Sequence, residues 1–174
     1  IEQMVMALSS SQAKALDVCK VSYQGEDGRQ QSRLFLNAAT CGLGSVVAST
    51  VNNYKLPRFL PGALAYFMSS VIGGLFYQNQ TICLENETGN ASSQKINTLA
   101  RCNGQYLGGG MWMAPHANPE DGLMDVITIG DVGIWDLVTN LPRLYRGTHL
   151  SHAQVNAKQV RHLSIHPMDK DTVI

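Results

Sequence analysis

YLGGGMWMAPHANPEDGLMDV, from Tyr106 to Val126, is the stretch whose reading decides the fold. Three successive glycines, Gly108, Gly109 and Gly110, lead into an apolar run, followed by a Pro/Asn turn with adjacent acids Glu120 and Asp121. Gly122 and a β-branched strand start close the segment. Glycine clusters admit positive φ or close approach of a partner to the backbone. Adjacent carboxylates in such a turn offer oxygens to a hard cation, with carbonyls of the same turn filling other positions. On composition alone the turn reads rather as a solvated hairpin-like loop.

Outward from this segment, short strand and helix periods alternate. Met124 to Ile129 predicts a strand, in which Asp125 is expected to be solvated. From Gly133 to Tyr145, Ile134, Leu137, Val138, Leu141, Leu144 and Tyr145 share one helical face. Pro142 is expected to loosen or kink the last turn, and Gly147 suits the position after the helix. Lys158 to His166 alternates weakly and predicts one further strand.

Upstream, TICLE and KINTLARC read as two strands separated by an exposed polar loop, NETGNASSQ. Leu60 to Tyr77 predicts an amphipathic helix, too interrupted by Ser-Ser and Gly-Gly to cross a membrane. Leu16 to Tyr23 and Ser32 to Ala39 predict a hairpin turning at Asp27-Gly28. Thr40 to Gly44 is a glycine-punctuated corner, with Ser45 as the expected N-cap of a helix. Ile1 to Leu8 fits the last turns of a helix. Residues 1–14 are thus expected to end a connecting helix and 15–174 to form a β domain, stopping in mid-sheet.

The 174 residues suffice for one domain burying about 70% of its unfolded surface, without staples. Formal charge is zero, so no global basic field points to nucleic acid. Cys19, Cys41, Cys83 and Cys102 form no C-x-x-C pair, which suits a reducing, cytoplasmic compartment. The triplets at Asn79, Asn86 and Asn90 read as loop composition, and no basic region marks a signal peptide.

Arg143, Arg146, His149 and His152 gather where the last helix ends. They suit the helix dipole there first, with a basic rim for anionic headgroups and transient membrane contact as the functional alternative. His116 reads as a surface residue. His162 and His166, four apart on one strand, would lie roughly 13 Å apart, too far for one zinc. No serine stands in G-x-S-x-G and no nucleophile-base set is visible, so no catalytic residue is assigned.

NGQYLGGGMWMAPHANPEDGLMDV (Asn103 to Val126) resembles the signature segment in the carboxy-terminal half of the diacylglycerol kinase catalytic-domain family. These are soluble lipid kinases related to sphingosine and ceramide kinases. The likeness extends to RLFLNAATCGLGSVVA (Arg33 to Ala48) and LVTNLPRLYRGTHLSHAQV (Leu137 to Val155). It implies an α+β fold, a mostly antiparallel β-sandwich-like domain with two or three flanking helices. It also implies Mg²⁺ held by the Asp121 carboxylate and the carbonyls of Asn118 and Leu123. Leu64, Phe67, Met68 and Val71 of the predicted helix, with Gly108, Gly109 and Gly110, become candidates for the acceptor-lipid wall. ATP would be bound mainly by an amino-terminal α/β domain carrying G-G-D-G-T, and the general base would lie in a D-G-E segment; neither motif occurs here. The expectation is therefore the acceptor-lipid domain of an ATP-dependent lipid kinase, peripheral to the membrane and inactive alone. A stand-alone lipid or metal-binding module and an NAD kinase-like fragment are the alternatives, and a homodimer stays open.

Overall fold

The computed structural model describes residues 14–25, 27–53, 72 and 74–168, with the side chains of 51–53 excepted. Nine strands and two longer helices are defined there: β1 Cys19–Gln24, β2 Gln30–Phe35, β3 Ala38–Gly42, α1 Leu43–Asn53, β4 Gln80–Asn86, β5 Ala91–Ile96, β6 Thr98–Cys102, β7 Met124–Ile129, α2 Ile134–Arg146, β8 Val155–Val160 and β9 Leu163–Pro167. A single 3₁₀ turn, His149–Ser151, follows α2. The fold is α+β with antiparallel sheets, as expected. The predicted terminal helix and most of the predicted helix Leu60–Tyr77, including Leu64, Phe67, Met68 and Val71, lie outside the described residues.

The central layer is a four-stranded antiparallel sheet in the order β3-β6-β7-β8. One face packs on a three-stranded sheet, β5-β4-β9, through a core that includes Cys41, Leu99 and Val126 on one side and Ile82, Leu84, Ile96 and Leu163 on the other. The opposite face buries Ala100, Cys102 and Ile127 under Met111, Met113, Ala114 and Ala117 of the signature segment and Leu144 of α2. Because side chains alternate across a strand, Leu99 and Ala100 serve different cores, as do Val126 and Ile127. Ala100 stands opposite Ile127 in the ladder. β1 and β2 form a separate hairpin with the expected turn at Asp27-Gly28, where Gly28 has φ 74°.

Double burial corrects one expectation. Asp125 is not solvated but buried, with Gln159 Nε2 donating to its carboxylate at 3.3 Å. A sheet covered on both faces leaves no solvent side for it. Burial first and this carboxylate second push the neighbouring Cys102 thiol up to about 12. All four cysteines are free.

Two predicted single strands each prove to be two, one in each sheet. KINTLARC changes sheet at Asn97, between β5 and β6. The Asn97 backbone N–H lies 2.9 Å from the Ile129 carbonyl, and its own carbonyl accepts from Leu43 N at 2.8 Å. Its buried side chain donates to Asn79 Oδ1 at 2.9 Å and accepts from the Thr98 hydroxyl at 3.1 Å. Lys158 to His166 likewise breaks at Arg161-His162, whose backbone N–H groups both donate to Glu87 Oε1, at 2.8 and 2.7 Å. These two bonds hold the exposed Glu87 carboxyl below its ordinary range. The polar loop also shortens, since Ala91 to Gln94 belong to β5.

Asn97→Ala is expected to destabilise the fold by about 2 kcal/mol, the cost of stripping partners from buried polar groups; urea unfolding measures it. Glu87, with its folded pKa depressed, contributes stability that is present above its unfolded pKa and lost as pH falls through the folded value. Unfolding of Glu87→Gln is therefore expected to show a smaller loss of stability across that acid range than the parent chain.

Candidate functional site

The glycine triplet forms a tight loop. Leu107 and Met111 exchange backbone bonds of 3.0 and 2.9 Å across it, and Gly108, Gly109 and Gly110 take φ of 53°, 73° and 98°. Three consecutive left-handed residues are open to glycine and costly for L side chains. An added Cβ at Gly110 would meet nothing within 4 Å, so backbone conformation rather than close approach explains that glycine. Of the three, Gly108 lines the cavity described below; Gly109 and Gly110 are exposed and do not.

The apolar run after the loop fixes the end of α2. Trp112 N donates to the Leu144 carbonyl at 3.1 Å, and the Trp112 ring stacks on Tyr106 with centroids 5.8 Å apart. Gly147 ends α2 as expected, at φ 68°, with Gly147 N bonding Leu144 O and Thr148 N bonding Arg143 O. Its face is pressed on Trp112, where an added Cβ would lie 2.6 Å from Cε3. α2 runs through Pro142 to Arg146. Ser45 is not an N-cap: α1 begins at Leu43, and the Ser45 hydroxyl donates back to the Gly42 carbonyl at 2.7 Å.

Between α1, α2 and the central sheet lies a cavity of about 360 Å³. Its floor is Ala38, Thr98, Ile129 and Val155; Leu43 and Val47 of α1 face Leu137, Leu141 and Leu144 of α2 across it. Met111 and Met113 close the end beneath the glycine loop. The polar minority of the lining comes from Asn37, Thr40, Asn97, Thr98, Asp136, Asn140, His149 and His152. An apolar space with sparse polar points suits an aliphatic ligand of modest size.

His149, one of the basic residues grouped at the helix end, is buried at this end of the cavity, with Nε2 3.0 Å from the Met113 carbonyl. A carbonyl only accepts, so Nε2 carries the proton. Burial lowers the imidazole pKa, opposed by the Met113 and Arg143 carbonyls. His149 thus joins the core, while Arg143 and Arg146 remain exposed and His116 sits at the surface as expected.

The acidic turn is ordered by its own atoms. Asp121 Oδ1 accepts from Leu123 N at 2.9 Å, Asn118 Oδ1 from Glu120 N at 3.2 Å, and Gly122 holds φ 73°. Asp17, absent from the sequence reading, closes it from outside: its Oδ2 accepts from Gly122 N at 2.7 Å and its backbone N donates to Pro119 O at 2.8 Å. Asn103 in turn holds the Asp17 carbonyl at 3.0 Å. Only the fold could reveal this, because Asp17 and Gly122 are 105 residues apart. No group of three or more His, Cys, Asp or Glu among the described residues could hold a metal. A cation here would rest on the exposed Asp121 carboxylate and neighbouring carbonyls, a hard-oxygen set that fits a hydrated Mg²⁺.

Gly147→Ala is expected to lower stability by about 2 kcal/mol from the left-handed backbone alone, and to raise the fluorescence accessibility of Trp112 as the end of α2 shifts. Urea unfolding followed by tryptophan emission reads both.

Residues 37–174 match the family described as the YegS C-terminal NAD kinase beta sandwich-like domain. A protein of Shewanella frigidimarina (strain NCIMB 400), named "Probable lipid kinase YegS-like", is 28% identical over 128 residues, 74% of this chain and 40% of that protein. A protein of the same name from Pseudomonas putida (KT2440) is 34% identical over 116 residues, 66% of this chain and 38% of its own length. The chain therefore spans well under half of these relatives. A solved diacylglycerol kinase of Bacillus anthracis str. Sterne superposes with TM-score 0.55 at 19% identity, over 90% of this chain and 46% of that one. Another solved chain from that organism gives TM-score 0.61 at 18% identity, over 90% and 47%. At these identities the two structures speak for the fold. The antiparallel sandwich and the family match agree: this chain belongs to the family described as the YegS C-terminal NAD kinase beta sandwich-like domain.

Proposed function

We propose that this chain is the acceptor-lipid side of an ATP-dependent lipid kinase that transfers the γ-phosphoryl group to a lipid hydroxyl, as on diacylglycerol or a sphingoid-like lipid. The observation that carries the reading is the cavity between α1 and α2, whose apolar lining and volume of about 360 Å³ suit acyl carbon. Burying acyl chains there would position the hydroxyl and exclude water, the contribution phosphoryl transfer most needs from a binding domain. The hydroxyl oxygen would bond to the γ-phosphorus as the bond to ADP breaks, its proton passing to a base outside this chain.

ATP in this reading is held mainly by an amino-terminal nucleotide-binding domain, and the reaction closes in the cleft between the two. Asp121 would hold Mg²⁺ with the carbonyls of Asn118 and Leu123. Bound there, the ion would supply fixed positive charge that steadies the turn. The enzyme would work in the cytoplasm at the membrane surface. Among the described residues, no helix is long and apolar enough to cross a bilayer.

In the full-length kinase, Leu141→Trp is expected to raise KM for diacylglycerol at least about tenfold, the scale of about 1.4 kcal/mol, while KM for ATP is unchanged. Unchanged lipid KM, or phosphorylation of NAD in place of any lipid in a panel, contradicts the acceptor assignment. The isolated 174 residues with ATP and Mg²⁺ are expected to show no turnover. For the turn, Mg²⁺ is expected to raise the Tm of this chain and not that of Asp121→Asn; equal shifts in both contradict the metal assignment.

A further inference from the structure

The outward face of α2 is not used by the cavity. Trp135, Thr139, Pro142, Arg143 and Arg146 are all exposed and fall on one stripe about 100° wide at helical spacing. Leu137, Leu141 and Leu144 point the other way, into the cavity. Trp135 is 79% exposed. Beside it, Gly74 packs against the first turn of α2, where an added Cβ would lie 2.7 Å from Ile134 Cδ1. Leu75 and Phe76, which follow Gly74 in the chain, are 60% and 86% exposed. At the other end of the stripe, neither Arg143 nor Arg146 makes a side-chain hydrogen bond or ion pair among the described residues.

We propose that this face docks on an anionic bilayer, with Trp135, Leu75 and Phe76 entering the boundary between headgroups and acyl chains and Arg143 and Arg146 meeting lipid phosphates. A helix lying in the interface needs an apolar-aromatic side and cations at headgroup level, and both stand on this one surface. Guanidinium groups pair with phosphate oxygens in a planar fork. The one acid within α2, Asp136, receives the Gly133 N–H at 3.4 Å at the start of the helix, away from the arginine end. Net charge on the chain is zero, so attraction to anionic lipid must be local, and here it is. The same helix then has a membrane side and a cavity side.

The inference rests on the acceptor-lipid reading for its direction, but vesicle binding is measured without turnover, so the two fail separately. The 174-residue chain is sedimented with vesicles of phosphatidylcholine alone and of phosphatidylcholine with phosphatidylglycerol, at low and high salt. Binding to the anionic vesicles is expected, weakened by salt. Partitioning of Arg143→Gln/Arg146→Gln should fall about thirtyfold, which is about 1 kcal/mol for each lost cation. Trp135→Ser should bind at least about tenfold more weakly, and in the parent chain vesicles should protect Trp135 from acrylamide quenching. Arg29→Gln, on the hairpin between β1 and β2, should bind as the parent does; circular dichroism confirms that each variant is folded. Absence of binding to anionic vesicles overturns the proposal. So does equal binding by all variants, or a self-association of the chain that Trp135→Ser abolishes while vesicle binding persists.

Discussion

Ala100 and Ile127 face each other in the ladder between β6 and β7, both essentially without solvent contact, and the remaining architecture depends on that pair. They make the second face of the central sheet a buried one. The first face is already committed to the smaller sheet through Leu99 and Val126. A sheet apolar on both sides must be covered twice, and the second cover is the signature segment together with α2. The cavity exists because that cover stands off the sheet: the methionines seal one end, while α1 and α2 stand apart over the rest.

What could be read beforehand follows from this layering. The strand Met124 to Ile129 and the helix ending at Gly147 were legible because one local signal specified each, a β-branched run in the first and a positive-φ glycine in the second. The signature segment was legible as a likeness, though the physical task of its glycines was not: they close a loop under the cavity wall. Asn97 and Glu87 were invisible for a related reason. A strand that changes sheet keeps its apparent alternation, and the groups that turn it lie far away in sequence, Glu87 being 74 residues from Arg161. Asp125 and His149 misled because polar residues are read as solvated until the layer that covers them is known.

Chemistry divides accordingly. The described residues supply apolar volume, a buried imidazole and an ordered acidic turn, which are means of binding and positioning. The match covers only 40% and 38% of the length of the two curated relatives. Under the proposed reading, such a domain would discriminate among acceptors by shape and dryness, and its contribution to rate would lie in orientation rather than in proton transfer.

The account stands on the cavity being the place where lipid binds. The direct measurement is a methyl-resolved NMR titration of this chain with a short-chain diacylglycerol. Saturable shifts confined to the methyl groups of Val47, Met113, Leu137 and Leu141 are the predicted result. Shifts absent from those four methyl-bearing residues, or spread over the β1–β2 hairpin and the smaller sheet instead, would contradict it.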